Sequence, residues 1–361
     1  MQGNTTRRTV LVGTGAAVSA GLAGCLGDDD PDPDDDPDAD PDDDPDADPD
    51  EWEATQDITM LVPFGEGGGT DTYMRNFGPA VADRYDVNWR VENLSSAGGM
   101  EAMGQAISAD PDGHTITCYN PPSTPITYML LEPPFDIEEL VPICIYARTN
   151  PAYLLYGQVE HEFDGIQDVI DRYNDGEFSA LGVQDTGGPT TVMAIILRDN
   201  PDIDWNWDSM VNYGGTGPVA ADLAAGDLDA AIASDTGGLP VWESNPDAFE
   251  PIAYMHTERS VFRPDLDIPT FPDEMGVNMD FLAALDRVIL GPPGMSGDIV
   301  SSYEATFEEV LTEDEEVLEW AEEGGWALDF APASDAESLL NDVFEEIPAQ
   351  LDLDELRAEF G

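Results

Sequence analysis

Residues 60–75 read MLVPFGEGGGTDTYMR, and this stretch decides the fold class. A short apolar run ends at Phe64, four of the next five residues are glycine, and a helix-like run begins at Thr70. A glycine-rich turn between a strand and a helix lets a ligand approach the unpaired backbone N–H groups at the helix start. The stretch therefore predicts an α/β fold in which this loop forms one wall of a binding site.

The strand–turn–helix pattern recurs through the first half of the chain. Gly78-Pro79 is predicted to interrupt the first helix, because proline cannot donate a backbone hydrogen bond. A strand is predicted over 89–93, a helix over 100–109 and a strand over 114–119. This alternation is typical of an α/β fold with parallel sheets.

The second half repeats the pattern. The strand before Gly187 leads into a predicted helix over 192–198, and the strand before Gly214 leads into a helix over 218–225. Ligands of open α/β sheets lie beyond the carboxyl ends of the strands, where helix N-termini favour anions. We therefore expect the glycine-rich and hydroxyl-bearing turns to bind an anionic group without lysine or arginine.

The chain is strongly acidic. Among its 361 residues, 77 acidic side chains stand against 12 basic ones, all of them arginine, for a net charge of −65. This excludes a basic footprint for nucleic acid or an anionic membrane. The acids fit either a binder of cations or a surface adapted to high salt, where screening limits self-repulsion. Because they are spread along the entire chain, we favour the halophilic surface.

Residues 1–25 are predicted to be an export signal. Arg7 and Arg8 precede an apolar run that is typical of a twin-arginine signal and too short for an ordinary transmembrane helix. The run ends at Cys25 in a sequence that resembles a lipobox, so Cys25 is the predicted lipidation site; an ordinary cleavage site with an incidental cysteine is the alternative. We expect an extracytoplasmic protein that is held to the outer face of the cell membrane by lipid alone.

Residues 26–54 are predicted to form a disordered acidic tether. An eight-residue Asp/Pro unit occurs at 34–41 and again at 42–49. Like-charge repulsion and proline keep such a segment extended. Calcium binding is the alternative, but the run lacks a glycine turn and a fixed ligand spacing.

The sequence predicts no metal site, no cofactor and no catalysis. Residues 65–70 fail the spacing of a dinucleotide-binding loop, and a phosphate-binding P-loop requires a lysine that the chain lacks. No nucleophile elbow occurs, and the three histidines lie far apart in the sequence. Cys118 and Cys144 lie in apolar strand-like runs, where two buried free thiols are favoured over a disulfide.

Five short motifs follow one another between Ile58 and Ile347. They are Val62-Pro63-Phe64 with Gly67-Gly68-Gly69-Thr70-Asp71, Val91-Glu92-Asn93 with Ala97-Gly98-Gly99, Asp110–Thr115, Val211–Asp229, and Asp267–Phe271. Together they resemble the substrate-binding lipoproteins of tripartite tricarboxylate transporters, also called Bug or TctC-type receptors. The sequence departs from the family pattern at Gly65, Glu66, Thr191, Gly214 and Ser234.

The resemblance implies a two-lobed α/β architecture of the type II periplasmic-binding-protein class, with a ligand cleft between the lobes. One lobe is expected over 55–150 plus 260–361 and the other over 151–259. The implied ligand is a small organic acid, such as a di- or tricarboxylate, held by loop backbone and hydroxyl groups. The implied partners are the permease subunits of the transporter, to which a monomeric receptor delivers its ligand.

The strand-end loops and the resemblance together nominate a set of ligand-binding residues. The set comprises Phe64, Gly65, Glu66, Gly67, Gly68, Asp71, Ser95, Gly98, Gly99, Asn120, Thr186, Gly187, Thr190, Tyr213, Gly214, Thr216 and Ser234. Three members have a structural alternative. Asp71 can complement the helix dipole and pair with Arg75, Tyr213 can belong to the core, and Glu66 can point outward as a surface acid.

Two other functions remain open from the sequence. A ligand-sensing module for a membrane kinase or chemoreceptor would differ only in the surface that contacts its partner. An enzyme on the same fold is disfavoured because the chain lacks a recognisable arrangement of nucleophile and base.

Overall fold

The computed structural model describes residues 52–260 and 263–360. The predicted export signal, Cys25 and most of the predicted tether lie outside the described residues. Their assignment rests on the sequence.

Within the described residues, the strands form two sheets. In chain order they are β1 (Ile58–Val62), β2 (Trp89–Asn93), β3 (Thr115–Tyr119), β4 (Val141–Thr149), β5 (Tyr153–Gln158), β6 (Ala180–Val183), β7 (Ser209–Asn212), β8 (Ala230–Ser234), β9 (Phe249–Tyr254), β10 (Leu285–Gly291) and β11 (Ala331–Pro332). The first sheet has the order β11-β4-β10-β3-β1-β2, and the second has the order β7-β6-β8-β5-β9. Each sheet is the centre of one lobe.

Helices cover both sheets. They are α1 (Gly69–Asn76), α2 (Gly78–Asp83), α3 (Met100–Ser108), α4 (Ser123–Leu131), α5 (Ile166–Asn174), α6 (Pro189–Asp199), α7 (Thr216–Ala225), α8 (Asp235–Ser244), α9 (Phe271–Met275), α10 (Asp280–Ala283), α11 (Gly297–Glu313), α12 (Glu315–Gly324), α13 (Ala333–Gln350) and α14 (Leu353–Phe360). Short 3₁₀ helices occur at Ser96–Gly99, Ile137–Glu139 and Val159–His161.

Local sequence explains several helix boundaries. The predicted interruption near Gly78-Pro79 is confirmed, because Phe77 separates α1 from α2. The hydroxyl of Ser296 accepts a hydrogen bond from the backbone N–H of Ile299 and caps α11. The carboxylate of Asp314 caps α12 in the same way. Each side chain satisfies backbone donors that the first helical turn leaves unpaired.

Both sheets are mixed, so the prediction of parallel sheets was correct only in part. Strands β2 and β3 flank β1 in parallel, and β6 lies parallel to β7 and β8. Strand β10 runs antiparallel to β3 and β4, and β5 runs antiparallel to β8 and β9. The antiparallel strands β5 and β10 lie next to the places where the chain crosses from one lobe to the other. There the chain enters a sheet from the other lobe instead of returning through a helical crossover.

The chain leaves the first sheet at the end of β4 and enters the second at β5, on either side of the expected lobe boundary at residues 150–151. The return to the first sheet comes later in the chain than the expected boundary at residues 259–260. Thr270 forms a bridge with Tyr254, and α10 packs against α6 of the second lobe. We therefore place the second crossing immediately before β10, at residues 284–285.

The cores agree with the α/β prediction. Apolar clusters cover the faces of both sheets, and Cys118 and Cys144 are buried free thiols, as predicted. Both cysteines align with Ile289 of β10, on opposite sides of that strand, so β10 separates them. Across the residues that the structure describes, none of the helices has the length and apolarity needed to cross a membrane.

Candidate functional site

The glycine-rich loop after β1 is held in shape by Asp71. The backbone N–H of Gly67 donates to one carboxylate oxygen of Asp71 at 2.9 Å, and Arg75 Nε donates to the other at 2.9 Å. Arg75 also donates to the side-chain oxygen of Asn93 on β2. The carboxylate of Asp71 therefore has a structural role that ties the loop to its own helix and to the neighbouring strand.

The two lobes meet directly at this loop. The backbone N–H of Gly65 donates to the backbone oxygen of Gly214 in the other lobe at 2.8 Å. A Cβ atom on Gly65 would lie 2.9 Å from the same oxygen, so the contact requires glycine. The structure therefore has closed lobes, with the first glycine loop against the turn before α7.

A narrow cavity of about 20 Å³ lies between the lobes, at the carboxyl ends of their strands. Its walls are neutral except for one arginine. The lining residues are Phe64, Gly68, Gly69, Thr70, Asn120, Tyr153, Gln184, Gly215, Thr216, Ser234, Leu285 and Arg287. Both lobes contribute, as the predicted cleft requires.

Arg287 on β10 supplies the positive charge of this cavity. The residue is 1% exposed, and its guanidinium donates to the hydroxyls of Thr70 at 2.8 Å, Thr236 at 3.1 Å and Thr149 at 3.4 Å. Its Cζ atom lies 5.1 Å from the centre of the Tyr73 ring. An arginine keeps its charge when buried, so these neutral partners leave a cation without a bonded anion.

Arg287 differs in this respect from the other arginines of the described residues. Of the ten arginines there, Arg287 alone forms no salt bridge. The nine others, which pair with Asp or Glu, are Arg75, Arg84, Arg90, Arg148, Arg172, Arg198, Arg259, Arg263 and Arg357. Although the chain is strongly acidic, no Asp or Glu side chain of the described residues forms a salt bridge with Arg287.

Two buried polar atoms of the cavity lining have no hydrogen-bond partner. They are the side-chain oxygen of Asn120 and the hydroxyl of Tyr153, on residues that are 1% and 0% exposed. The amide nitrogen of Asn120 donates to the hydroxyl of Thr70 at 2.7 Å. Buried polar groups are almost always paired in proteins, so both atoms are suited to contact a ligand.

Gln184 occupies the second-lobe end of the cavity. Its side-chain oxygen accepts from the hydroxyl of Thr216 at 2.6 Å and from the backbone N–H of Ser234 at 2.8 Å. Its amide nitrogen donates to Asp185 at 3.1 Å. These bonds satisfy donors at the starts of α7 and α8 with a neutral group of the protein itself.

Two buried carboxyl groups lie close to the cavity without lining it. Burial raises the pKa of Asp235 to about 7, against the opposing effect of the Arg287 charge. Burial likewise raises the pKa of Asp185 to about 6, opposed by the hydrogen bond from Gln184. In both residues desolvation disfavours the charged form of the carboxyl group.

The structure brings five of the nominated residues to the cavity: Phe64, Gly68, Asn120, Thr216 and Ser234. Others lie where the lobes touch. Gly65 bonds to Gly214, Gly214 packs beside Ser95, Gly98 faces the backbone of Thr186, and Gly187 accepts from Thr127. These residues lie at the contact between the lobes rather than in the cavity lining.

The remaining nominated residues lie outside the cavity lining. Glu66 and Gly67 are exposed, and the hydrogen bond to Asp71 raises the pKa of Arg75, with a smaller contribution from the charge of Glu66. Tyr213 donates to Asp222 at 2.6 Å, and Thr190 accepts from the backbone of Gln184. Asp71 is the loop brace described above, and Gly99 packs against Pro63. For Asp71 and Glu66, this placement favours the structural alternative.

The cavity also contains residues that the sequence reasoning missed. They are Gly69, Thr70, Tyr153, Gln184, Gly215, Leu285 and Arg287. The sequence reasoning named no arginine among the site residues, although the sequence did carry a signal: Arg287 is the only basic residue in the apolar strand LDRVILG. Thr70 was predicted to cap α1, but the helix begins at Gly69 and the Thr70 hydroxyl contacts Arg287 instead.

A search of protein-family models found no match to this chain. Curated proteins do show similarity. A UPF0065 protein of Bordetella pertussis is 29% identical over 128 residues, which cover 28% of this chain and 40% of the relative. A UPF0065 protein of Agrobacterium vitis is 25% identical, with 61% of each chain covered. The protein BugT of Bordetella pertussis is 24% identical over 74% of this chain and 80% of its own length. The chain thus spans less than two thirds of the length of the first two relatives.

Solved structures identify the fold. The periplasmic binding protein BugD superposes with a TM-score of 0.71 at 18% identity, covering 81% of this chain and 95% of its own. MatC from Rhodopseudomonas palustris with bound malate superposes with a TM-score of 0.69 at 19% identity, covering 81% of this chain and 97% of its own. A further R. palustris protein with adipate superposes with a TM-score of 0.68 at 20% identity, covering 81% of this chain and 95% of its own. The chain therefore has the two-lobed periplasmic-binding-protein fold.

Proposed function

We propose that this chain is an extracytoplasmic solute-binding receptor of the Bug or TctC type that captures a small organic carboxylate. In this proposal the receptor is lipid-anchored through Cys25 and delivers its ligand to the permease subunits of a tripartite tricarboxylate-type transporter. The proposal is supported by the fold, by the similarity to BugT and BugD, and by the malate and adipate named for two structural neighbours.

One observation carries the choice of a carboxylate. Arg287 is buried between the lobes without a bonded anion, beside the unpaired side-chain oxygen of Asn120. A buried charge is unfavourable unless it is paired, so an anionic ligand would complete the site. The lining lacks a nucleophile with an adjacent base, which supports binding rather than turnover.

A thermal-shift screen in multimolar KCl tests the binding function. Small carboxylic acids should raise the melting temperature in a dose-dependent way, because a ligand that binds only the folded state stabilises it by mass action. Matched amides and alcohols of the same size serve as controls. A protein whose melting temperature responds to none of the acids would contradict the proposal.

Uptake by cells separates transport from sensing. Deletion of the gene in its native cells should abolish accumulation of the radiolabelled acid that gave the largest thermal shift. Full-length protein expressed from a plasmid should restore accumulation. A sensor module would leave uptake intact while changing the cell's response to the acid.

A further inference from the structure

We infer that the cavity selects a small monocarboxylate with a hydroxyl or amine donor close to its carboxylate, and that Arg287 binds that carboxylate as a salt bridge. The inference rests on the proposed function and narrows the ligand from the di- and tricarboxylates that the sequence suggested.

The positive charge sets the number of carboxylates. Arg287 is the one charged residue among those that line the cavity. Its three hydroxyl partners leave guanidinium N–H groups available, since an arginine carries five. One carboxylate neutralises this charge through charge-assisted hydrogen bonds. A second carboxylate in the same space finds no second cation among the lining residues.

Gln184 occupies the place where a second carboxylate would find donors. The hydroxyl of Thr216 and the backbone N–H of Ser234 already donate to the Gln184 oxygen, at 2.6 and 2.8 Å. Asp185 and Asp235 lie behind this end of the cavity, and both are buried. A second carboxylate would therefore have to displace a neutral amide that already satisfies both donors, which opposes its binding.

The unpaired side-chain oxygen of Asn120 can accept a hydrogen bond from a donor group of the ligand. Its amide nitrogen and Arg287 both donate to the Thr70 hydroxyl, at 2.7 and 2.8 Å, so the amide and the guanidinium converge on one atom. A carboxylate at Arg287 brings its neighbouring substituent close to Asn120. A hydroxyl or amine there would satisfy the orphaned acceptor, whereas a methylene group would leave it unpaired.

Four small ligands separate these contributions by titration calorimetry at one fixed KCl concentration. Lactate has one carboxylate and a hydroxyl, lactamide lacks the charge, propionate lacks the hydroxyl, and malate adds a carboxylate. Lactate should bind about 10- to 100-fold more tightly than lactamide. It should also bind several-fold more tightly than propionate and more tightly than malate.

Variants identify the residues responsible. Arg287→Met should abolish the preference for lactate over lactamide, and Arg287→Lys should retain part of it, because lysine keeps the charge without the planar fork. Arg90→Met, which removes an exposed arginine paired with Glu92, is the matched control and should change nothing. Gln184→Ala should free the donors of Thr216 and Ser234 and shift the preference from lactate towards malate.

The wild-type comparisons stand even if Arg287→Met does not fold. Equal affinities for lactate and lactamide, or tighter binding of malate than lactate, would overturn the inference while leaving a carboxylate receptor in place. Failure of all four ligands and of the wider acid screen would instead contradict the proposed function itself.

Discussion

Gly65 and Gly214 join the two lobes through one backbone hydrogen bond of 2.8 Å between the Gly65 N–H and the Gly214 oxygen. Neither residue lines the cavity, yet each adjoins a lining residue in the sequence, Phe64 and Gly215 respectively. This bond exists only when the lobes are closed, so it links closure to the geometry of two glycine turns. Closure in turn brings Arg287 of the first lobe within 3.1 Å of Thr236 in the second.

Gly65→Ala should hinder closure without unfolding either lobe. The added Cβ would lie 2.9 Å from the Gly214 oxygen, a backbone atom that cannot move alone. We expect roughly a tenfold loss of ligand affinity, equivalent to about 1.4 kcal/mol, with little change in melting temperature without ligand. Calorimetry measures the affinity, and Gly297→Ala, where a Cβ meets nothing within 4 Å, is the control. Unchanged affinity would show that the contact does not govern closure.

Glu66→Ala should leave ligand affinity unchanged. The side chain is exposed, and its charge acts on Arg75 at the surface rather than on a residue of the cavity. Calorimetry with the best acid from the screen tests this directly. Tighter binding in the variant would place the Glu66 carboxylate near the ligand, where like charges repel. Lost binding would indicate that Glu66 contacts an amine or a metal ion.

The sequence predicted the first lobe closely because its signals are local. The run Ile58–Val62, the glycine loop and the Gly78-Pro79 break each act within a few residues, and each was found where predicted. The direction of β10 and the return of the chain to the first lobe depend on strand pairing between distant segments. No local pattern reports such pairing, so the mixed sheets were missed.

Local sequence patterns also predicted only part of the candidate site. Asn120 follows β3, Ser234 ends β8 and Thr216 begins the helix after β7, so the rule that ligands lie beyond strand ends located them. Arg287 lies inside β10, and only folding shows that it faces threonine hydroxyls instead of an acid. Its role depends on a missing salt bridge, which a sequence cannot display.

Folding should require high salt. The chain carries 77 acidic residues against 12 arginines, and nine of the ten arginines in the described part already pair with acids. The remaining carboxylates repel one another, and molar salt shortens the screening length to about 3 Å. Circular dichroism on transfer from molar to millimolar KCl should show loss of helical signal. An unchanged spectrum would contradict the halophilic interpretation.

Cys25→Ser should release the protein from the membrane. The sequence assigns lipid attachment to Cys25 and export to Arg7 and Arg8, all outside the described residues. Fractionation should recover the Cys25→Ser variant in the medium, whereas Arg7→Lys combined with Arg8→Lys should retain the protein inside the cell. Cys118→Ser, which alters a buried thiol of β3, is a control for loss of a cysteine as such. A Cys25→Ser variant that stays with the membrane would exclude the lipid anchor.

Asp235 should make stability depend on pH in a defined window. The residue is buried at the start of α8, where Arg287 and Arg263 lower its pKa and burial, the larger effect, raises it to about 7. Glu243 and Asp235 both line a second cavity, separate from the one around Arg287, and Glu243 pairs with Arg263. Because an unfolded aspartate titrates near ~3.9, the folded state holds the extra proton between about pH 4 and pH 7.

The direction of the pH dependence follows from the extra proton that the folded state holds on Asp235. The stability associated with protonated Asp235 is fully present below about pH 4 and is lost as pH rises through about 7, at up to about 1.4 kcal/mol per pH unit. Urea unfolding from pH 4 to pH 8, at fixed high KCl, measures the free energy of unfolding for wild type and for Asp235→Asn. The free energy of unfolding of the wild type should carry a contribution that declines with rising pH up to about pH 7, and Asp235→Asn should lack that contribution. In Asp185→Asn, the matched control, the contribution that is lost should decline only up to about pH 6, since the pKa of Asp185 is raised only to about 6.

Identical profiles for wild type and Asp235→Asn would show that the carboxyl group of Asp235 stays ionised throughout, with Arg287 as its counter-charge. The cation beside the cavity would then already be neutralised before a ligand arrives.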